Sequence, residues 1–234
     1  MMLFAVAALA AVRLEMHFMS LCKQCQIHIA ATNDMIWNGG LELTPSKAGV
    51  RAMTNFSIDY YGPKLTSGHT CEAASVGTEH GPDQCVNDRY HLCAQHADPP
   101  EPSWFDYVHC MWMNIDVLKC GHNGHCDTST EYAHALSLVH PMCAALTGVD
   151  AAAIATCANS ERGVQLARDS YARTRGTAGL PFAPAFVDGV VVDGADQFWR
   201  KTPDQLHWGR AVLDAVCKAA AARNASAAPP LACL

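Results

Sequence analysis

The 234-residue chain is half hydrophobic, carries a formal net charge of -6 and contains 12 cysteines. Such a length supports one large domain or two small ones, and such a hydrophobic fraction excludes a disordered chain. No Lys/Arg-rich face stands out to neutralise phosphates, which argues against a nucleic-acid partner.

Residues 1–11 read MMLFAVAALAA, an apolar run ending in the small residues Ala8-Leu9-Ala10. This resembles the core and cleavage site of a secretory signal peptide, without the basic residues that usually precede them; the alternative is a buried first strand. In Val12 to Phe18 the apolar Val12, Leu14, Met16 and Phe18 alternate with Arg13, Glu15 and His17. That period of two predicts a strand with one buried face. Cys22-Lys23-Gln24-Cys25 follows, and apolar residues then recur at helical spacing from Cys25 to Trp37 until Asn38-Gly39-Gly40. The dithiol therefore belongs at a strand-to-helix junction.

Pro45 to Met53 fits a short helix, and Phe56 to Tyr61 a second strand. Helices are expected around Cys85 to Gln95, Trp104 to Leu118, Thr130 to Leu146 and Asp150 to Arg175, with a break at Asp98-Pro99-Pro100-Glu101-Pro102. Ala185-Phe186-Val187 and Val190-Val191-Val192 flank Asp188-Gly189, a strong hairpin signal. Thr202-Pro203 opens a last helix carrying Leu206, Leu213, Cys217 and Ala220. No stretch reaches the ~18 apolar residues of a membrane-spanning helix. The Trp112 and Trp208 regions read as core.

This order predicts a disulfide-stapled α/β chain of thioredoxin-like fold: one domain over residues 12–222, a helical insertion at about 78–176, and a disordered tail over 223–234. The staples are expected among Cys71, Cys85, Cys93, Cys110, Cys120, Cys126, Cys143, Cys157, Cys217 and Cys233. Cysteines so scattered look like bridges rather than the paired ligands of zinc modules, and bridges imply an oxidising compartment. Local pairing favours Cys71–Cys85, Cys120–Cys126 and Cys143–Cys157. Asn55-Phe56-Ser57 and Asn224-Ala225-Ser226 make Asn55 and Asn224 candidate glycosylation sites.

Cys22 and Cys25 carry the chemistry. Disulfide exchange needs a thiolate, and a free thiol with a pKa of about 8.5 is only about 0.03% thiolate at pH 5. A helix N-terminus offers unpaired N–H groups and partial positive charge that stabilise the anion. Cys22 is thus the candidate nucleophile, with Lys23 as an added positive charge, and Cys25, one turn on, the resolving thiol. The late loop Phe182-Ala183-Pro184-Ala185 supplies the proline that thioredoxin-like folds hold cis beside the dithiol, leaving the Ala183 backbone free to pair with an extended substrate. No cofactor is required.

Several segments, in this order, resemble the gamma-interferon-inducible lysosomal thiol reductase (GILT) family. They are His17-Phe18-Met19-Ser20-Leu21-Cys22-Lys23-Gln24-Cys25; Glu79-His80-Gly81-Pro82-Asp83-Gln84-Cys85; Trp104-Phe105 through Cys110-Met111; Cys157-Ala158-Asn159-Ser160-Glu161-Arg162-Gly163; and Pro184-Ala185-Phe186-Val187-Asp188-Gly189. The resemblance runs from about Val12 to Cys217. It implies a reductase of protein disulfides, recharged by a small thiol or protein reductant, that works at acidic pH in endosomes, lysosomes or outside the cell. It places the catalytic pair at Cys22 and Cys25 and the cis-proline role at Pro184. The chain departs from the family signature C-Q-H-G-x-x-x-C, with Thr78 and Glu79 in place of the first Cys and Gln, so Cys85 needs another partner, and Cys71 is the nearest spare one.

Other constellations carry less. Cys120-Gly121-His122-Asn123-Gly124-His125-Cys126 offers four zinc-ligand types in seven residues, but ligands so close in sequence struggle to surround an ion tetrahedrally, so a local bridge and no metal is expected. His80 reads as a polar loop residue, and His17, on the strand's polar phase, as a solvated histidine. Two rivals to the reductase remain: a non-catalytic, disulfide-stapled secreted binding protein, and a zinc module built on Cys22, Cys25 and the Cys120 loop.

Overall fold

The computed structural model describes residues 11–32, 54–62, 81–97, 103–121, 126–175, 185–192, 205–223 and 233. In chain order the elements are β1 (Val12–Phe18), α1 (Lys23–Thr32), β2 (Thr54–Tyr60), α2 (Gly81–Gln95), α3 (Trp104–Met113), α4 (Ile115–Leu118), α5 (Ser129–Thr147), α6 (Ala151–Ala158), α7 (Glu161–Arg175), β3 (Ala185–Val187), β4 (Val190–Val191) and α8 (Gln205–Arg223). Among the described residues the protein is mixed α/β, mostly helical, with a four-stranded sheet in the order β2-β1-β3-β4. It divides into two compact units, one of residues 1–16, 31–57 and 184–234, the other of residues 17–30 and 58–183.

In the first unit, Val12, Leu14 and Met16 are buried while Arg13 is exposed, as the alternation requires. β1 pairs antiparallel with β3 in the register Leu14↔Val187, Glu15↔Phe186, Met16↔Ala185. The β3–β4 hairpin turns at Asp188 and Gly189, whose φ values of 53° and 82° are the left-handed pair that a two-residue turn needs. The Arg13 amide donates to Asp188 Oδ1 (3.0 Å), tying the turn to β1. α8 packs on β3 and is bridged to the C-terminal segment by Cys217–Cys233. Of the expected tail over 223–234, Arg223 ends α8 and Cys233 is bridged to Cys217; the remaining residues lie outside the described ones.

In the second unit, the end of β2 and helices α2 to α7 build the core around Tyr60, Tyr107, Trp112 and Tyr171, each at most 1% exposed. No strand occurs among the described residues between 81 and 175. α5 starts at a capping box, in which Thr128 Oγ1 accepts from the Glu131 amide (3.2 Å) and Glu131 Oε2 accepts from the Thr128 amide (3.1 Å). It ends at Gly148, left-handed at φ 78°. Two expected helices are each split, by Asn114 between α3 and α4 and by Asn159-Ser160 between α6 and α7. Among the described residues, no helix is long and apolar enough to cross a membrane.

Cys93–Cys157 joins α2 to α6, Cys110–Cys143 joins α3 to α5, and Cys120 is joined to Cys126. The expected Cys143–Cys157 pair is thus replaced by two longer links. Bridges follow packed neighbours, and α2 packs on α6 as α3 does on α5, so proximity in sequence misleads here. The links close separations of 64 and 33 residues, each worth ~4 kcal/mol in a chain-entropy account. Cys85 is also disulfide-bonded; Cys71, the partner expected for it, lies outside the described residues.

Gly62 faces this core closely, since a Cβ there would stand 2.4 Å from Tyr171 Cζ. The ring cannot retreat, because Tyr171 is 0% exposed and its hydroxyl donates to Asp88 Oδ2 (2.7 Å). Gly62→Ala is expected to cost about 1–3 kcal/mol of stability, measured by urea denaturation. An unchanged midpoint would mean that the ring yields.

Candidate active site

β1 delivers the chain into a turn in which the Cys22 amide donates to the Met19 carbonyl (3.1 Å). The Gln26 amide donates to the Cys22 carbonyl (3.1 Å), so Cys22 is the N-cap residue of α1. Cys25 is then the third helical residue, and its amide donates to Cys22 Sγ (3.4 Å). This is the contact an N-cap side chain makes, with sulfur in place of the usual oxygen. A thiolate on Cys22 would gain this N–H and the positive end of the helix dipole together.

The two sulfurs are not equivalent. Both are free of disulfides, with Cys22 6% and Cys25 0% exposed. Burial pushes the Cys25 thiol well above its ordinary pKa, helped by its hydrogen bond and charge coupling to Cys22; the Met19 amide, which donates to Cys25 Sγ (3.4 Å), acts the other way. The deeper sulfur is thereby kept protonated.

Two lysines stand by the dithiol. Lys23, the cation expected to help Cys22, places its Nζ 2.5 Å from Asp116 Oδ1, on the surface. Lys119 is 2% exposed and lies near enough to Cys22 to feel its charge. Burial, and then the Lys23 cation, lower the Lys119 pKa, while Cys22 and Asp116 raise it. By reciprocity, the Lys119 cation favours the Cys22 thiolate. Lys119→Met is expected to slow iodoacetamide alkylation of Cys22 at pH 5 on the order of tenfold. Lys23→Met, an exposed ion-pair partner, should change it less than about twofold. Equal effects of the two would remove the special place of Lys119.

Below the dithiol lies a polar stripe that the sequence reading did not single out. Gln84, Asn87, Asp88 and His91 follow an i, i+3, i+4, i+7 pattern on α2, and each is at most 1% exposed. Gln84 Nε2 donates to the Tyr61 carbonyl (2.7 Å), and Ser20 Oγ donates to the Gln84 carbonyl (3.3 Å). Tyr132 Oη donates to Asn87 Oδ1 (3.3 Å), and Tyr60 Oη shares a hydrogen bond with His91 Nδ1 (2.9 Å). Burial lowers the His91 pKa to about 3, so the ring is neutral. Burial raises the Asp88 pKa to about 7, against the stabilising hydrogen bonds of Ser20, Tyr171 and Gln84. A helix that buries four polar side chains does so at a desolvation cost, and such perturbed groups gather at functional sites.

The remaining candidates are placed as follows. His17, expected to be solvated, is 2% exposed and stands edge-on to Tyr61, with ring centroids 5.9 Å apart. The correction has a simple cause: β1 ends buried on both faces, so its alternation stops at His17. Cys120 and Cys126 are joined to each other, so neither is available as a thiolate ligand for zinc. Asn55 is exposed on β2, where a glycan can be accommodated. His80, Ala183, Pro184 and Asn224 lie outside the described residues, as do the helix expected at Pro45 to Met53 and the side chain of Trp208.

No curated protein matches the chain significantly. Residues 13–126, from β1 through the Cys120–Cys126 bridge and with the dithiol inside, match the model of the family described as Gamma interferon inducible lysosomal thiol reductase (GILT), so this part of the chain is similar to that family.

Proposed function

We propose that the chain is a thiol–disulfide oxidoreductase that reduces disulfide-bonded proteins through Cys22 and Cys25. The observation that carries this reading is the pair of disulfide-free thiols at the start of α1, one capping the helix and one buried behind it. Cys22 thiolate attacks a substrate sulfur and forms a mixed disulfide. Cys25 then attacks Cys22 Sγ, closing the Cys22–Cys25 bridge and releasing the second substrate thiolate, which takes a proton from solvent. Two electrons pass from the dithiol to the substrate, and a small-thiol or protein reductant returns them.

The match of residues 13–126 to the GILT family model, the strand–dithiol–helix order and the bridges support a thioredoxin-like frame over residues 12–222 with the helical block as its insertion. They also support residence in the secretory pathway, in the lysosomal or endosomal lumen or outside the cell. Pro184, with the Ala183 backbone, is the proposed platform for the extended substrate segment. The cap, the helix dipole and Lys119 together let Cys22 work in acid, where an ordinary thiol is almost wholly protonated.

Trapping tests this. Cys25→Ser, mixed at pH 5 with a denatured disulfide-bonded protein, is expected to accumulate a covalent adduct at Cys22 that dithiothreitol releases. If Cys25→Ser forms no adduct while wild type also leaves the substrate oxidised, the chain is a binding protein on this frame instead.

A further inference from the structure

Asp88 takes no part in the mechanism above, yet it sits against it. Consecutive residues of the turn before Cys22 touch the two groups: the Met19 amide donates to Cys25 Sγ (3.4 Å), and Ser20 lies close enough to Asp88 for its hydroxyl and amide to favour the carboxylate. The charges of Asp88 and Cys25 act on each other, and both act on Tyr60. Oδ2 accepts from Tyr171 Oη (2.7 Å) and lies 3.5 Å from Gln84 Nε2. Oδ1 is buried and has no hydrogen-bond partner. A solvent-sealed carboxylate oxygen with no partner, on a group whose charge reaches a buried thiol, has room to take a proton.

We propose that Asp88 is the proton acceptor for Cys25 when the mixed disulfide is resolved. This rests on the reading of Cys22 and Cys25 given above. The proton of Cys25 passes to the Asp88 carboxylate, the sulfur electron pair forms the bond to Cys22 Sγ, and the Cys22–substrate S–S bond breaks. The substrate sulfur leaves with that bonding pair and is protonated from solvent; Asp88 returns its proton to solvent when the dithiol is recharged by a thiol reductant. The physical advantage is charge conservation. Ionising Cys25 alone would create a second buried anion, whereas transfer from sulfur to carboxylate leaves the buried charge unchanged.

The groups that feel the charge of Asp88 are Cys25 on α1, Tyr60 on β2, Tyr132 on α5 and Tyr171 on α7; Arg89 and His91 are its neighbours in sequence on α2. The tyrosines' pKa values are all raised well above their ordinary 10 and that of His91 is lowered to about 3, so none of these changes charge near neutrality. An inflection near pH 7 therefore belongs to Asp88.

The test is single-turnover quench-flow with a fluorescent peptide disulfide, following formation and decay of the mixed disulfide from pH 5 to 9. In wild type, decay should speed about tenfold per pH unit below the Asp88 midpoint and level off above it. Asp88→Asn should lose that inflection and decay about 100-fold more slowly at pH 8, with formation changed less than about twofold. Tyr171→Phe, which removes one bond to the carboxylate, should move the inflection to higher pH, and serves alone if Asp88→Asn does not fold. An inflection that survives in Asp88→Asn, or that stays unmoved in Tyr171→Phe, overturns the proposal alone. No mixed disulfide in wild type overturns both the proposal and the reductase reading.

Discussion

Cys22→Ser is expected to lose reduction of a denatured disulfide-bonded protein at pH 5 by a thousandfold or more, on the order seen when a nucleophile is removed. The expectation follows from the asymmetry of the two sulfurs. Cys25 cannot substitute, because it is 0% exposed and its pKa is raised by burial, so at pH 5 it is a thiol sealed from the substrate. Cys22 caps α1 and has Lys119 beside it, so its reactivity should survive acid. The companion measurement is alkylation of Cys22 by iodoacetamide in Cys25→Ser. For an unperturbed thiol the rate falls about 100-fold from pH 7 to pH 5; here it should fall less than about tenfold. A full 100-fold fall would leave a neutral-pH enzyme, and substantial turnover in Cys22→Ser would remove the reductase reading itself.

Much of this site is legible in the sequence. The alternation of Val12 to Phe18 predicts β1 with its observed bounds, and Asp188-Gly189 predicts the hairpin, because period and turn chemistry are local. The junction that makes Cys22 an N-cap follows from where that strand stops and helical spacing starts. Three features are not legible, and each is non-local. The pairings Cys93–Cys157 and Cys110–Cys143 depend on which helices pack. The burial of His17 depends on what covers the end of β1. Most telling is α2, where Gln84, Asn87, Asp88 and His91 share one face that from spacing alone reads as the solvent side. It is buried because Tyr60, Tyr132 and Tyr171, 31, 45 and 83 residues from their partners, bring hydroxyls to it. The same distance hides Lys119 behind the more obvious Lys23, which lies within the motif.

The buried stripe also sets how the fold responds to acid. Asp88 titrates at about 7 in the folded chain against an ordinary 3.8, so between those values the folded state holds a proton that the unfolded state has lost. Stability from this group is therefore greatest in acid and falls as pH rises toward 7, by roughly 4 kcal/mol in all. Asp88→Asn removes this dependence: relative to wild type, it should become more stable by about that amount between pH 4 and pH 8. Paired urea denaturations, with the disulfides intact, measure the difference. A difference that stays constant with pH would show that Asp88 is ionised in the fold throughout. His91 works in the opposite sense. Its folded value of about 3 lies below the ordinary 6.5, so the folded state lacks a proton over that interval and loses stability as pH falls through it. His96 and His140, also lowered by burial, add to His91. One turn apart on α2, the carboxyl offsets the imidazole over most of the acidic range. Asp88→Asn should therefore leave a protein whose stability falls as pH drops through the acidic range, because the carboxyl no longer offsets His91.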